Sequence, residues 1–247
     1  MSSTFTTPSV DALRERGDWG PPMDRFAEWD PDWTERCAAM TNNPWTTGVL
    51  PVKWIELICV ALNVACTHRN EPAVRRHIRA ALNAGASDEE IRETFKGASV
   101  LGIHSVAVAL PILLQEAELA GVQPAPPTEG CVETPVTDQV KAAGLFNTAW
   151  EAIYQLDPAW LEQFLAMGAD LYGGVLPPKL VELIAIAVDA SCTHMYTPGI
   201  RRHVQSALAQ GATAEEIMEV LKLCGSLGVD ACELGTPILA EEMVNRQ

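Results

Sequence analysis

Four of the five histidines in this 247-residue chain fall in two stretches that repeat one another. Lys53 to His77 reads KWIELICVALNVACTHRNEPAVRRH, and Lys179 to His203 reads KLVELIAIAVDASCTHMYTPGIRRH. Each stretch supplies a carboxylate (Glu56, Glu182), a thiol (Cys66, Cys192) and an imidazole two residues beyond it (His68, His194). Each then adds two adjacent guanidiniums (Arg75 and Arg76, Arg201 and Arg202) and a second imidazole (His77, His203). These are the parts of an acid–base site: an imidazole oriented by a carboxylate moves protons, and a guanidinium holds a substrate carboxylate. The thiol would be a nucleophile if a neighbouring cation or helix N-terminus lowered its pKa. The same residues also suit a structural joint, with Glu and His tying two core helices together and cysteine packed as a small hydrophobe. Cys66, His68 and His77 offer a third arrangement, three ligands for a zinc ion with one position open.

Placing these residues on elements sharpens the choice. The segment from Lys53 to about Ala65 is apolar nearly all round and predicts a central helix, in which a lone Glu56 must be paired because an unpartnered buried carboxylate costs several kcal/mol. On that helix Asn63 lies within about 20° of Glu56, and Cys66 about 80° away. The second copy carries Asp189 where the first has Asn63. Pro72 and Pro198 open the next helix, so its free amides and positive dipole end, with the arginines one turn in, would hold an anion. The pattern predicts a carboxylate pocket with Arg75 or Arg76 as clamp and His77 as acid or base, oriented by Glu56. His104 has no copy and faces Asp230 in the alignment of the two halves. The copies therefore differ in polar chemistry at two points, and one site is expected to be active while the other is structural.

The repetition extends well past these stretches. Asp30-Pro31 matches Asp157-Pro158, Gly85-Ala86 matches Gly211-Ala212, and Pro111-Ile112-Leu113 matches Pro237-Ile238-Leu239. A period of roughly 126 residues is far longer than a solenoid unit and marks two domains. The predicted boundaries are 1–121 and 135–247, joined by a Pro-rich linker over 122–134. Asp30 and Asp157 are N-caps with proline at the first helical position, and Ser87 with Glu90, like Thr213 with Glu216, forms a capping box. Gly85 and Gly211 end the preceding helices, and Pro111 implies a kink or a fresh start. No run alternates at period two, so the fold class is all-α. The tryptophans, concentrated towards the N-terminal part of each copy, suit core packing or an interface.

Composition narrows the partners. A formal net charge of −15 opposes binding to nucleic acid or an anionic membrane, both of which need positive charge. The N-terminus shows neither a secretion nor a transit signature, and the apolar runs fall short of a spanning helix, so a cytoplasmic location is expected. Seven cysteines without a C-x-x-C pair read as reduced thiols.

The order of these signals resembles the carboxymuconolactone decarboxylase / alkylhydroperoxidase D-like family. The resemblance rests on ELIAIAVDA (Glu182 to Ala190) and ELICVALNV, each followed by His-x3-Ala-x3-Gly-Ala-[Ser/Thr]-x-Glu-Glu-Ile, from His77 and from His203. It implies an all-α fold with two tandem domains forming an internal pseudo-dimer, and a homo-oligomer, with a trimer of duplicated chains favoured. It also implies one of two chemistries, cofactor-free decarboxylation of lactone acids or thiol peroxidase and disulfide reductase activity. The thiol branch uses a C-x-x-C pair ending four residues before the histidine, and here those positions hold Asn70 and Ala73, or Tyr196 and Gly199. The expectation is therefore a cofactor-independent enzyme on a small organic acid, with a Glu/His acid–base pair and an arginine clamp. A thiol-dependent peroxidase using Cys66 or Cys192 and a non-catalytic assembly protein are the alternatives.

Overall fold

A computed structural model describes residues 7–123, 133–144 and 146–246. Most of the expected linker, 122–134, lies outside the described residues. In chain order the helices are α1 (Pro8–Arg16), α2 (Pro22–Trp29), α3 (Pro31–Thr46), α4 (Val52–Val64), α5 (Glu71–Asn83), α6 (Asp88–Ser99) and α7 (Ile103–Leu119). After the linker come α8 (Pro135–Ala142), α9 (Glu151–Leu156), α10 (Pro158–Tyr172), α11 (Pro178–Ala190), α12 (Thr197–Ala209), α13 (Ala214–Ser226) and α14 (Asp230–Asn245). No strand occurs among the described residues, and the all-α class stands.

The helix boundaries follow the local chemistry. Asp30 and Asp157 each accept a hydrogen bond from the third amide beyond them, Trp33 at 3.0 Å and Trp160 at 2.9 Å. Both capping boxes are closed in both directions. Gly85 and Gly211 sit at φ +86° and +81°, in the left-handed region that lets a helix end without steric cost. Pro111 does not begin a new helix, since α7 runs through it. The apolar content of this region exceeds the sequence expectation: among the described residues the helical run Asp88–Leu119 is long and apolar enough, by length and composition, to cross a membrane. The cause is the stretch from Gly97 to Leu114, where small residues dilute the hydrophobicity but no charge interrupts it.

The chain forms two compact units that cut across the two sequence copies. One consists of the chain up to Ala98 with the chain from Pro178 onward, and the other of Ser99–Pro177. In the first, α4 and α11 pack on each other and on α5 and α12 respectively. Ile55, Leu57, Ile58 and Leu62 of α4, with Leu180, Leu183, Ile184 and Ile186 of α11, are fully buried, at about 1.5–3 kcal/mol of transfer free energy per side chain. In the second unit, Ile103 and Leu110 of α7 pack with Trp150, Ile153, Leu161 and Leu165.

Two details of the first unit position the site. Glu35 of α3 accepts from the first amides of α1, Ser9 at 2.8 Å and Val10 at 3.2 Å, which neutralises the helix N-terminus and fixes where its other end emerges. At that end Gly17, at φ +81°, turns the chain so that Arg16 and Asp18 flank it. Between α4 and α5 the Cys-Thr-His stretch is a tight turn in which the His68 amide donates to Ala65 and the Asn70 amide to Asn63, with Arg69 at φ +56°. The turn recurs between α11 and α12 with Met195 at φ +56°, and the two turns meet where the Thr193 hydroxyl bonds that of Thr67 at 3.3 Å.

Candidate active site

Glu56 is completely buried in the middle of α4 and has two partners. Its Oε1 accepts from the Trp45 indole at 2.6 Å, and its Oε2 lies 2.8 Å from His77 Nδ1. A carboxylate only accepts, so His77 carries a proton on Nδ1 and leaves Nε2 for chemistry. The second copy repeats the core of this arrangement, with His203 Nδ1 2.7 Å from Glu182 Oε2. The pairing expected from sequence is present in both copies.

The first pair sits on a cavity of about 110 Å³ that is lined by residues from α1, α2, α3, α4, α5, the end of α13 and α14. Arg16 stands across it, 4.0 Å above the Trp45 ring, with its Nε donating to Asp18 Oδ2 at 2.7 Å. The other oxygen of Asp18 is 3.6 Å from His77 Nδ1. Arg76 enters from α5 and donates to Glu233 of α14 at 3.2 and 3.3 Å. Burial, reinforced by Asp230, raises the Glu233 carboxyl above its ordinary range, and Arg76 opposes that shift. Gly20 makes this approach possible, since a Cβ there would lie 2.5 Å from the Glu233 carboxylate. Asp230, also on the wall, receives His68 Nε2 at 2.6 Å and the Asn70 side-chain amide at 2.5 Å.

Several buried polar atoms of this wall make no hydrogen bond within the protein, and the nearest approach to one of them is the long 3.6 Å contact of Asp18 Oδ1 with His77. Arg16 Nη2, Arg76 Nε, Asp18 Oδ1 and Asn63 Oδ1 are four such atoms, and all four residues line the cavity. A native core satisfies its polar atoms, so their convergence marks a place built for something other than packing.

The remaining expected residues separate. Arg75 is exposed and pairs with Glu71 of its own helix, so of that pair only Arg76 lines the cavity. Cys66 and Cys192 are exposed and are not among the lining residues. The zinc arrangement is not formed, because His68 is bonded to Asp230 and the ligand cluster around His77 consists of Asp18 and Glu56, within 4.8 Å of one another. Two other cysteines, Cys37 and Cys59, line the cavity. Burial pushes the Cys37 thiol up to about 11 and the Cys59 thiol well above its ordinary value, so both stay protonated at neutral pH.

In the second copy Asp189 replaces Asn63 and its Oδ2 lies 3.9 Å from His203 Nε2, so a carboxylate is drawn towards each side of that ring. Gly199, which replaces Ala73, makes room for it, because a Cβ at Gly199 would stand 1.9 Å from Asp189 Oδ2. Gly199→Ala is expected to destabilise the protein by about 1–3 kcal/mol through this overlap. Urea unfolding measures it, and adding Asp189→Ala should recover the part of the loss due to the carboxylate, leaving the 2.7 Å overlap with the Tyr196 ring.

Comparison with known proteins matches this architecture. The model of the carboxymuconolactone decarboxylase family fits residues 31–114 and again residues 158–232. The chain belongs to the carboxymuconolactone decarboxylase family. A solved structure of a candidate gamma-carboxymuconolactone decarboxylase subunit from Burkholderia xenovorans LB400 is 32% identical. It superposes with a TM-score of 0.87, covering 97% of this chain and 98% of that one. No curated protein matches the sequence. Both family segments carry a Glu–His pair, but only the first is shown with Arg16 and Asp18 around it; in the sequence the second has Ala143 and Leu145 at those places.

The sequence reading missed Arg16, Asp18, Trp45 and Glu233. Three of them, Arg16, Asp18 and Glu233, are polar residues opposite Ala143, Leu145 and Ala107 in the other copy, a signal the reverse of repetition, whereas Trp45 stands opposite another aromatic residue, Tyr172.

Proposed function

We propose that this family member is a cofactor-independent acid–base enzyme acting on a small organic acid, as a decarboxylase or lactone-processing enzyme, in the cavity of the first copy. The observation that carries this reading is that His77, paired with Glu56, shares its cavity with two part-buried guanidiniums, each with a buried N–H still to give. A substrate carboxylate accepts from Arg16 and Arg76. As carbon dioxide leaves, the electron pair of the breaking C–C bond moves onto a conjugated carbonyl of the substrate, and His77 returns a proton to carbon. Glu56 keeps the ring in one orientation and stabilises it when charged. The name of the Burkholderia protein points the same way. No corresponding observation favours thiol chemistry, since the cavity thiols are held protonated and Cys66 and Cys192 do not line the cavity.

The test is carbon dioxide release and lactone opening across a panel of small lactone and keto acids. His77→Gln is expected to lose about 10²–10⁴ of the rate, the usual range for a positioned acid or base, while His203→Gln retains most of it. Equal losses in the two variants would refute the assignment to the first copy. Peroxide consumption that survives His77→Gln but disappears in Cys66→Ser would put thiol chemistry in its place.

A further inference from the structure

The four unpartnered atoms of the cavity wall are of two kinds, and the division specifies the ligand. Arg16 Nη2 and Arg76 Nε are donors and call for an anion. Asp18 Oδ1 and Asn63 Oδ1 are acceptors, on side chains with 6% and 4% of their surface exposed, and a plain carboxylate has nothing to give them. The neighbours of both acceptors are already committed. Asp18 Oδ2 takes the Arg16 Nε proton, and the Asn63 amide nitrogen donates to the Cys59 carbonyl, which turns the Asn63 oxygen towards the cavity side of α4. Leaving such acceptors unmatched costs about 1–3 kcal/mol each.

We infer that the substrate is a compact hydroxy acid, its carboxylate on Arg16 and Arg76 and its hydroxyl donating to Asp18 or Asn63. This rests on the acid–base reading above and names the substrate class within it. Size agrees: about 110 Å³ is well below the ~300 Å³ at which drug-sized sites begin, and restricts the ligand to a short chain. Sites that hydrogen-bond a substrate hydroxyl reject the analogue without it strongly, since the buried acceptor is then left bare.

The experiment is calorimetric titration of the full chain with matched pairs: malate and succinate, lactate and propionate, 3-hydroxybutyrate and butyrate. At least one hydroxylated member is expected to bind about tenfold or more tightly than its partner, the equivalent of one hydrogen bond. In Asp18→Asn that ratio should collapse to about twofold, because Arg16 Nε will claim the amide oxygen and turn the NH₂ into the cavity, where an acceptor is required. Asn63→Leu provides an independent reading of the same ratio if Asp18→Asn melts early. Acids that bind with no preference for the hydroxyl would overturn the inference and leave the acid–base reading intact. Failure of every acid to bind would overturn both. A preserved hydroxyl preference in a chain whose turnover is untouched by His77→Gln would remove the acid–base reading alone.

Discussion

Glu56→Gln is expected to lower turnover about 10³-fold while leaving the fold in place, and Glu182→Gln is expected to change the rate little. The size of the effect comes from the two hydrogen bonds that Glu56 accepts at once, from Trp45 at 2.6 Å and from His77 at 2.8 Å. A glutamine can accept only with its oxygen. If that oxygen takes the indole N–H, its NH₂ faces His77 Nδ1, and the ring must carry its proton on Nε2 instead. If the oxygen takes His77, two donors are forced together at Trp45. The first outcome leaves the imidazole in place with the wrong tautomer, a defect that in a histidine–carboxylate dyad costs about 10⁴ in rate. The measurement is turnover against pH with a melting curve as control. A rate that falls in step with stability would identify Glu56 as a structural tie, whereas a large fall at near-native stability, with a displaced pH profile, identifies it as the group that sets the histidine.

The contrast with Glu182 is a statement about surroundings, since the pairs themselves are nearly superposable in geometry. The first copy brings Arg16 and Asp18 from the end of α1, Trp45 from α3, and Asp230 and Glu233 from α14. The last two belong to the other sequence copy. One half of the chain thus supplies part of the wall of the cavity that holds the histidine of the other. The alignment of the halves places His104 opposite Asp230 and Ala107 opposite Glu233, so the exchange is not symmetrical.

This also explains what could be read before the structure. Helix caps, the buried Glu56 and its partner His77 are local or written twice, so periodicity and repetition expose them. The difference between Asn63 and Asp189, and between Asp230 and His104, was visible for the same reason. Arg16 and Trp45 were not, because their importance depends on how α1 and α3 are laid against α4, and Glu35 fixes that through a contact far away in sequence. Arg75 shows the opposite error: beside Arg76 in sequence, it lies on the exposed face of α5 and answers to Glu71. Adjacent residues on a helix point about 100° apart, so a pair of arginines is rarely a two-armed clamp.

The second copy yields the other large effect, and it concerns stability. Burial pushes the Asp189 carboxyl up to about 7, with His203 and Arg202 pulling it back towards its ordinary value of 3.8. A carboxyl whose pKa is higher folded than unfolded binds its proton more tightly in the native state. Stability therefore falls as pH rises from about 4 to about 7, and levels off above that. The whole penalty is on the order of 4 kcal/mol at pH 8. Asp189→Asn is expected to remove it, raising stability by a few kcal/mol at pH 8 and by little at pH 4.5 in urea unfolding, with Asn63 of the first copy as the precedent for an amide at this position. If the variant is instead weakened at pH 8, the ionised carboxylate is a net favourable partner of His203, and the buried charge is not a burden. With the penalty present, the second histidine has Glu182 at its Nδ1 and, 3.9 Å from its Nε2, a carboxyl that exchanges its proton near neutrality. The first histidine has both carboxylate neighbours, Glu56 at 2.8 Å and Asp18 at 3.6 Å, at its Nδ1, and an amide, Asn63, where the second copy has Asp189. Its Nε2 is thus left for a substrate, which is the physical reason for assigning the chemistry to His77.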